Sequence, residues 1–354
     1  MLNQAGILGC LKTQLKHKTS YNLAITVKKQ AAYQSTWAQS FVWTSFPATL
    51  FSRIIAEKIF TLPHGICLRL CCLKPRLTAF SGSLYLPIEP NTMSPILNIA
   101  FKAARKAAHM MLRASGNLNT IKIDSKAHND FVSEVDREAE NIIIQALAES
   151  YPHHAVLTEE SGLHGKENAE YQWIIDPLDG TTNYLHGHKQ YAISMALMHK
   201  GILTEALIYA PEYNDLYTAT RGQGALLNDK RIRVSNRIEL PRCLIATGFP
   251  VVDQSMMDTY LAILKDILAK TAGGRREGAA ALDLCNVACG RVDGFFEFNL
   301  KPWDIAAGAL IVQEAGGMIT DMHGNETWLQ TGNIVAANPK ILAQLLPIIG
   351  EHLQ

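Results

Sequence analysis

Residues 173–186 read Trp-Ile-Ile-Asp-Pro-Leu-Asp-Gly-Thr-Thr-Asn-Tyr-Leu-His, and both the fold and the chemistry of the chain are read outward from them. An apolar run of strand character stops at Asp176, Pro177 and Gly180 impose a turn, and Thr181 and Thr182 stand where a helix can begin. Two carboxylates, Asp176 and Asp179, therefore share one tight corner. Like charges so close repel unless a cation lies between them, and hard oxygen donors suit Mg²⁺ or Mn²⁺. Pro177 removes a donor and Gly180 a side chain, so the backbone can close around an ion and a phosphate. The competing reading is a plain Asp-Gly turn joining a buried strand to a loop.

The 354 residues are 48% apolar and 18% charged, with a formal net charge of +1. Such a chain can bury the core of one large or two small domains. Near neutrality gives no basic face for direct nucleic-acid binding. Of the seven cysteines, Cys10, Cys67, Cys71 and Cys72 come early, and no spacing forms a zinc pattern or a disulfide framework. Cys285 and Cys289, one helical turn apart, read as core. A reducing compartment, and hence the cytoplasm, is the expected location.

Residues 1–92 differ from the rest: they hold ten Lys/Arg and only Glu57 and Glu89 as acids. No helical period persists there, and no apolar run reaches the roughly 18 residues of a membrane span, so no membrane partner is expected. A transit peptide would share the basic, acid-poor character, but arginine is scarce, and Lys12, Lys16 and Lys18 interrupt any secretory core. The expectation is that 1–92 is a disordered or mis-assigned extension and that 93–354 is the catalytic domain. From Met93 the character changes. Ser94 can cap a helix, Pro95 suits its first position, Ile96, Ile99, Ala100, Ala103, Ala107, Met110 and Met111 form an apolar stripe, and Gly116 ends it.

Lys122 to Asp130 reads as polar and turn-rich. Ser133 can cap a second helix with Val135, Ala139, Ile142, Ala146 and Leu147 inward and Asp136 in its first turn. Strands are expected at 153–158, 171–175, 191–199, 202–209, 216–220, 225–227, 232–234 and 294–298. Helices are expected at 254–270, 279–289, 304–315 and 339–349. Helices that precede, interrupt and follow antiparallel-looking strands argue for a layered α+β architecture.

Four acids end strands or begin helices: Glu159, Asp176, Asp179 and Asp304. Acids at element ends can converge without disrupting a core. Taken singly each has a plainer reading: Asp304 as a helix cap, Glu159 as a surface charge beside Glu160. His153, His154, His186 and His188 read as surface or loop residues, since hard-cation chemistry needs no imidazole. Arg275 and Arg276 read first as solvated loop charges.

The segment Trp173–His186 and the segment W-D-I-A-A-G-A-L-I-V-Q-E-A-G-G at 303–317 resemble the two signature motifs of the inositol monophosphatase family, with E-E-S at 159–161 as its third metal-binding element. Residues 274–285 and 294–304 look most like the bacterial branch typified by the extragenic suppressor proteins. The resemblance spans Met93 to the C-terminus. It implies an αβαβα sandwich, a homodimer, lithium sensitivity and two to three Mg²⁺ per site. Glu159, Asp176 and the Leu178 carbonyl would bind one ion, Asp176, Asp179 and Asp304 a second, and Glu159 would help hold a third. Bridging by Asp176 suits metals about 3.5–4 Å apart. Thr181, hydrogen-bonded to Asp136, would orient and deprotonate the attacking water, and the Gly180 and Thr181 N–H groups would receive phosphate. For the polyol, Glu297 matches the hydroxyl ligand, with Gly278 and Ala280 lining the pocket through their backbone and Asp283 facing the ring. Ala279 departs from the Thr or Ser often found there.

The implied activity is Mg²⁺-dependent hydrolysis of myo-inositol monophosphate. Alternatives are a relative acting on fructose 1,6-bisphosphate or a 3′-phosphoadenosine nucleotide, and a regulatory partner of the transcription antitermination machinery, with Arg275, Arg276 and Lys301 as candidate contacts.

Overall fold

The helix expected after Met93 runs over Pro95–Ala114 (α1), capped by Ser94, whose Oγ accepts from Leu97 N–H at 3.3 Å. Its buried face is Leu97, Ala100, Phe101, Ala103, Ala104, Ala107, Ala108 and Met111, rotated from the expected stripe; Ile96, Ile99 and Met110 are only partly buried. The α-helix stops at Ala114, just before Gly116 as expected, but Gly116 is not at positive φ and the chain tightens into a 3₁₀ segment, Ser115–Thr120, kinked at Asn117. In this computed structural model the described residues are 93–127, 130–251 and 254–353, together with short strand segments at 23–24, 26–29, 42–43, 60–62 and 66–69. Residues 1–84 form a separate unit in which only short strand segments such as Thr26–Lys29 and Ile66–Arg69 are described, so the expectation for the extension lies outside the described residues.

The stretch read as turn-rich is a hairpin, Ile123–Ala127 (β1) against Asp130–Ser133 (β2). Ser133 and Asp136 then form a capping box for Glu134–Ser150 (α2), in which the Ser133 N–H donates to Asp136 at 2.9 Å. Val135, Ala139 and Leu147 are buried as expected, and so are Ile143 and Glu140.

An eight-stranded sheet follows: Ala155–Thr158 (β3), Gly162–His164 (β4), Tyr171–Asp179 (β5), Ala192–His199 (β6), Ile202–Ala210 (β7), Asp215–Thr220 (β8), Gly224–Leu227 (β9) and Lys230–Arg231 (β10). Its order is β10-β9-β8-β7-β6-β5-β3-β4, with β3 parallel to β5. The β6–β7 hairpin turns at Lys200 and Gly201, both at positive φ, as a two-residue turn requires. The last strand lies before the expected 232–234, where Ile232 makes one ladder-like bond, to the Ala225 carbonyl.

A second sheet holds Leu244–Thr247 (β11), Gly273–Arg275 (β12), Gly294–Glu297 (β13), Met318–Thr320 (β14) and Ile334–Ala337 (β15), in the order β12-β11-β13-β15-β14. Of these only β13 is foreseen above. Helices Met257–Lys270 (α4), Ala280–Ala288 (α5), Pro302–Glu314 (α6) and Pro339–Gly350 (α8) match the expected four, with short helices Thr181–Leu185 (α3) and Trp328–Thr331 (α7) besides.

The layers follow from where apolar surface must go. In α6 every residue from Ile305 to Val312 is buried, and a helix apolar all round belongs in an interior. With α5 it fills the space between the two sheets. The outer face of the first sheet is covered by α1 and α2, and that of the second by α4 and α8. The result is the expected five-layer αβαβα arrangement.

Candidate active site

The register of β5 against β6 shifts between Asp176, opposite Ser194, and Asp179, opposite Ala192. Such an irregularity re-aims side chains, and it turns this corner away from the ladder. Asp176 Oδ1 accepts from the Leu178 N–H at 2.8 Å, which fixes the turn locally. Asp179 Oδ2 accepts from Ala281 N–H at 2.8 Å, joining the corner to the first turn of α5. Asp304 accepts from Lys301 N–H at 2.7 Å at the start of α6, so its cap reading is correct as far as it goes. Glu159, in the loop after β3, and Asp304 are half-buried.

The four acids lie within electrostatic reach of one another. Burial holds Asp176 well above the usual carboxylate range, and Glu159, Asp179 and Asp304 push it further. Asp179 is raised in the same way, by burial first and then by Asp304, with smaller contributions from Glu297 and Glu159. Among the described residues no three His, Cys, Asp or Glu side chains are already drawn in around one point tightly enough to hold an ion. Mutual repulsion among uncompensated carboxylates favours such spacing. The donor set, carboxylates with the buried Leu178 beside them, fits a hard divalent cation and offers no soft ligand.

Beside the acids, Thr181 Oγ1 donates to Asp136 Oδ1 at 2.8 Å, with the Leu178 carbonyl at 3.1 Å as a second acceptor. Burial raises the Asp136 carboxyl against the lowering by hydrogen bonds from Ser133 and Thr181. Gly180 caps α3 at φ 92°, and a Cβ there would lie 2.8 Å from the Gln190 carbonyl oxygen, so both the backbone and the space demand glycine.

Glu297 ends β13 on the same side. Burial, then Asp304, pushes its carboxyl up to about 8, against lowering by Arg276. Asp283, in the first turn of α5, is buried, raised by burial and then by Glu297, Glu277 and Asp179, and its Oδ1 has no hydrogen-bond partner among the described residues. Gly278, Ala279 and Ala280 lead into α5 beside these acids. Every residue expected at the site is thus brought to one region, with the polyol set adjoining the acids through Asp179.

Several participants escape a reading of the sequence. Asn183 Nδ2 donates to the carbonyls of Gln190 at 2.7 Å and Glu277 at 2.8 Å, tying α3 to the Gly278 loop. Gly248 leaves room for Glu297. Glu140 binds the loop that carries Glu159; its place on the apolar face of α2 was the available signal. Arg276 is more than a solvated charge: it lies over the Phe249 ring at 5.1 Å, and a Cβ on Gly278 would meet its Nη1 at 2.4 Å. His153, His186 and His188 are exposed as expected, but His154 is half-buried and stacks between Tyr151 and Tyr171, each at 4.7 Å. The apolar flank of two aromatic neighbours explains the difference.

The comparisons with known proteins agree with this geometry. The family model described as "Inositol monophosphatase family" matches residues 92–354. A Neisseria meningitidis serogroup B protein named "Putative Nus factor SuhB" is 75% identical over 261 residues, covering 74% of this chain and 100% of that protein. The Pseudomonas aeruginosa "Nus factor SuhB" is 48% identical, over 74% of this chain and 98% of its own. Among solved structures, the extragenic suppressor protein suhB of Bartonella henselae superposes with a TM-score of 0.70 at 43% identity, covering 72% of this chain and 98% of that one. The chain belongs to the inositol monophosphatase family, a phosphatase family.

Proposed function

We propose that the protein is a Mg²⁺-dependent phosphomonoesterase that hydrolyses myo-inositol monophosphate to myo-inositol and phosphate. One observation carries this reading: four acids from three places in the chain, the β3–β4 loop, β5 and α6, gather beside a Thr181–Asp136 pair, with Asp176 and Asp179 held above the usual carboxylate range by burial and by their acidic neighbours. Glu159, Asp176 and the Leu178 carbonyl would hold one cation, Asp176, Asp179 and Asp304 a second, and Glu159 would contribute to a third. When bound, Mg²⁺ acidifies a coordinated water and neutralises charge on the phosphoryl group. Thr181, donating to Asp136, presents its lone pairs to a water proton, and Asp136 is the eventual acceptor; a carboxyl raised by burial is the better base. The N–H groups of Gly180 and Thr181 receive phosphate oxygens. Phosphoryl transfer asks mainly for position and charge neutralisation, so no nucleophilic side chain is required. Glu297, with the backbone of Gly278 and Ala280 and the Asp283 carboxyl, binds the polyol hydroxyls.

Phosphate release from inositol 1-phosphate, with and without Mg²⁺, tests the reading, beside fructose 1,6-bisphosphate and a 3′-phosphoadenosine nucleotide as competitors. Asp176→Asn should abolish turnover while the fold persists. Preference for either competitor would replace the substrate, and metal-independent activity would overturn the mechanism. A homodimer inhibited by Li⁺ in the cytoplasm belongs to the same proposal. The relatives' naming as Nus factors favours a second role, as a partner of the transcription machinery. Complementation by Asp176→Asn separates the two: a variant without turnover that still supports the cell places the weight on the partner role.

A further inference from the structure

Glu140 lies one helical turn after Asp136 on α2, so both carboxylates leave the same face of one helix. It is 3% exposed, among Ala139, Ile143 and Leu147. A carboxylate buried at such a place is costly unless its oxygens are satisfied. Its Oε2 accepts from the Glu160 N–H at 3.0 Å, and its Oε1 accepts a short bond from Ser161 Oγ. Both donors lie in the loop that begins with Glu159. Ser161 Oγ also contacts Thr158 Oγ1 at 3.1 Å and His164 Nε2 at 2.5 Å, so the loop is tied to both flanking strands, β3 and β4.

We propose that Glu140 is a positioning residue: through Glu160 and Ser161 it fixes the loop that aims Glu159 at the cation, while Asp136 on the same helix fixes Thr181. A single rigid element thereby sets the spacing between a cation ligand and the water-holding hydroxyl. The inference rests on the proposed role of Glu159 as a ligand. Loss of an outer hydrogen-bonding partner of a metal ligand typically costs on the order of 10-fold or more in affinity.

Mn²⁺ is titrated into the full chain and followed by its free-ion electron paramagnetic resonance signal, for the wild type, Glu159→Gln, Glu140→Gln, Ser161→Ala and the Glu140→Gln/Ser161→Ala pair. Metal-free melting curves accompany each. The expected result is Mn²⁺ binding on the order of 10-fold weaker for Glu140→Gln, a smaller loss for Ser161→Ala, and a double variant no weaker than Glu140→Gln alone. Substrate KM at saturating metal should stay at the wild-type value. A purely structural tether would lower the melting temperature and leave Mn²⁺ affinity unmoved. The proposal falls if Glu140→Gln and Ser161→Ala bind Mn²⁺ as the wild type does while Glu159→Gln does not. If Glu159→Gln also binds normally, the ligand role of Glu159 falls and takes the proposal with it. Should Glu140→Gln fail to fold, Ser161→Ala at its exposed position decides.

Discussion

Gly248→Ala is the sharpest single test of the polyol pocket. Gly248 follows β11 and does not have positive φ, so its backbone accepts alanine without strain. The obstacle is the neighbour: an added Cβ would sit 1.8 Å from Glu297 Oε1 and 2.1 Å from its Cδ. Ordinary contact begins near 3.4 Å, so the carboxyl must retreat by about 1.6 Å. The displaced group is the end of a flexible side chain, and the fold should survive. A hydrogen bond to a charged or strongly polar group contributes about 1.5–3 kcal/mol. Losing one made to a substrate hydroxyl therefore lowers kcat/KM by roughly 10- to 150-fold. Steady-state hydrolysis of inositol 1-phosphate measures it, with a melting curve to establish folding. Glu297→Gln should cost a similar amount, and the two changes together should cost little more than either, because both remove one contact. A folded Gly248→Ala enzyme with unchanged kcat/KM would show that the Glu297 carboxyl does not touch substrate from this position.

Thr181→Val keeps the shape and removes the hydroxyl that donates to Asp136; kcat should fall by about 10²–10⁴-fold with Mg²⁺ affinity little changed, and an unaltered kcat would exclude Thr181 from proton transfer. The Glu297 carboxyl, about 8 in the folded chain against an ordinary 4.5, keeps its proton after the unfolded chain has released its own. Its stabilising effect is therefore present at low pH and drains away as pH rises from 4.5 to about 8. In EDTA the melting temperature of the wild type should fall relative to Glu297→Gln over that interval, and a relative rise would refute the assignment. Mg²⁺ binds the ionised acids, and Asp176 and Asp179 are held above the usual carboxylate range, so its stabilisation should be larger at pH 8 than at pH 5 in the same melts. Asn338 caps α8 with bonds from Lys340 N–H at 2.9 Å and Ile341 N–H at 3.0 Å, and donates to Arg237 O at 2.9 Å. Asn338→Ala should lower unfolding free energy by about 1–2 kcal/mol in urea titrations and leave kcat untouched.

The Asp176–Thr181 corner was legible because its chemistry is local: strand, proline, glycine and two acids lie within seven residues of chain. The first sheet was legible for a related reason, since its antiparallel strands are joined by short turns whose residues announce them. The second sheet was not. Strands β11, β12, β14 and β15 run three or four residues each, and β15, Ile334–Ala337, is buried throughout, so no alternation marks it. Glu140, marked only by its place on an apolar helix face, and Gly248 escaped on other grounds. What they do depends on partners that the fold alone brings near, in the Glu159 loop and at the end of β13.

The plain and the functional readings of the site acids are not alternatives. Asp176 gives one oxygen to Leu178 N–H, Asp179 one to Ala281 N–H, and Asp304 one to Lys301 N–H. Each bond is what a turn or helix start needs, and each also fixes the rotamer, which sets the direction of the second oxygen. A carboxylate anchored in this way meets a cation with little further loss of side-chain freedom. The same anchoring joins Asp179 of β5 to α5, and Asp304 is itself part of α6. Movement of α5 or α6 would therefore carry Asp179 and Asp304 with it. Packing in the middle layer and the spacing of the acids are then one property, and a cavity cut beneath α6 should disturb cation binding before it unfolds the chain.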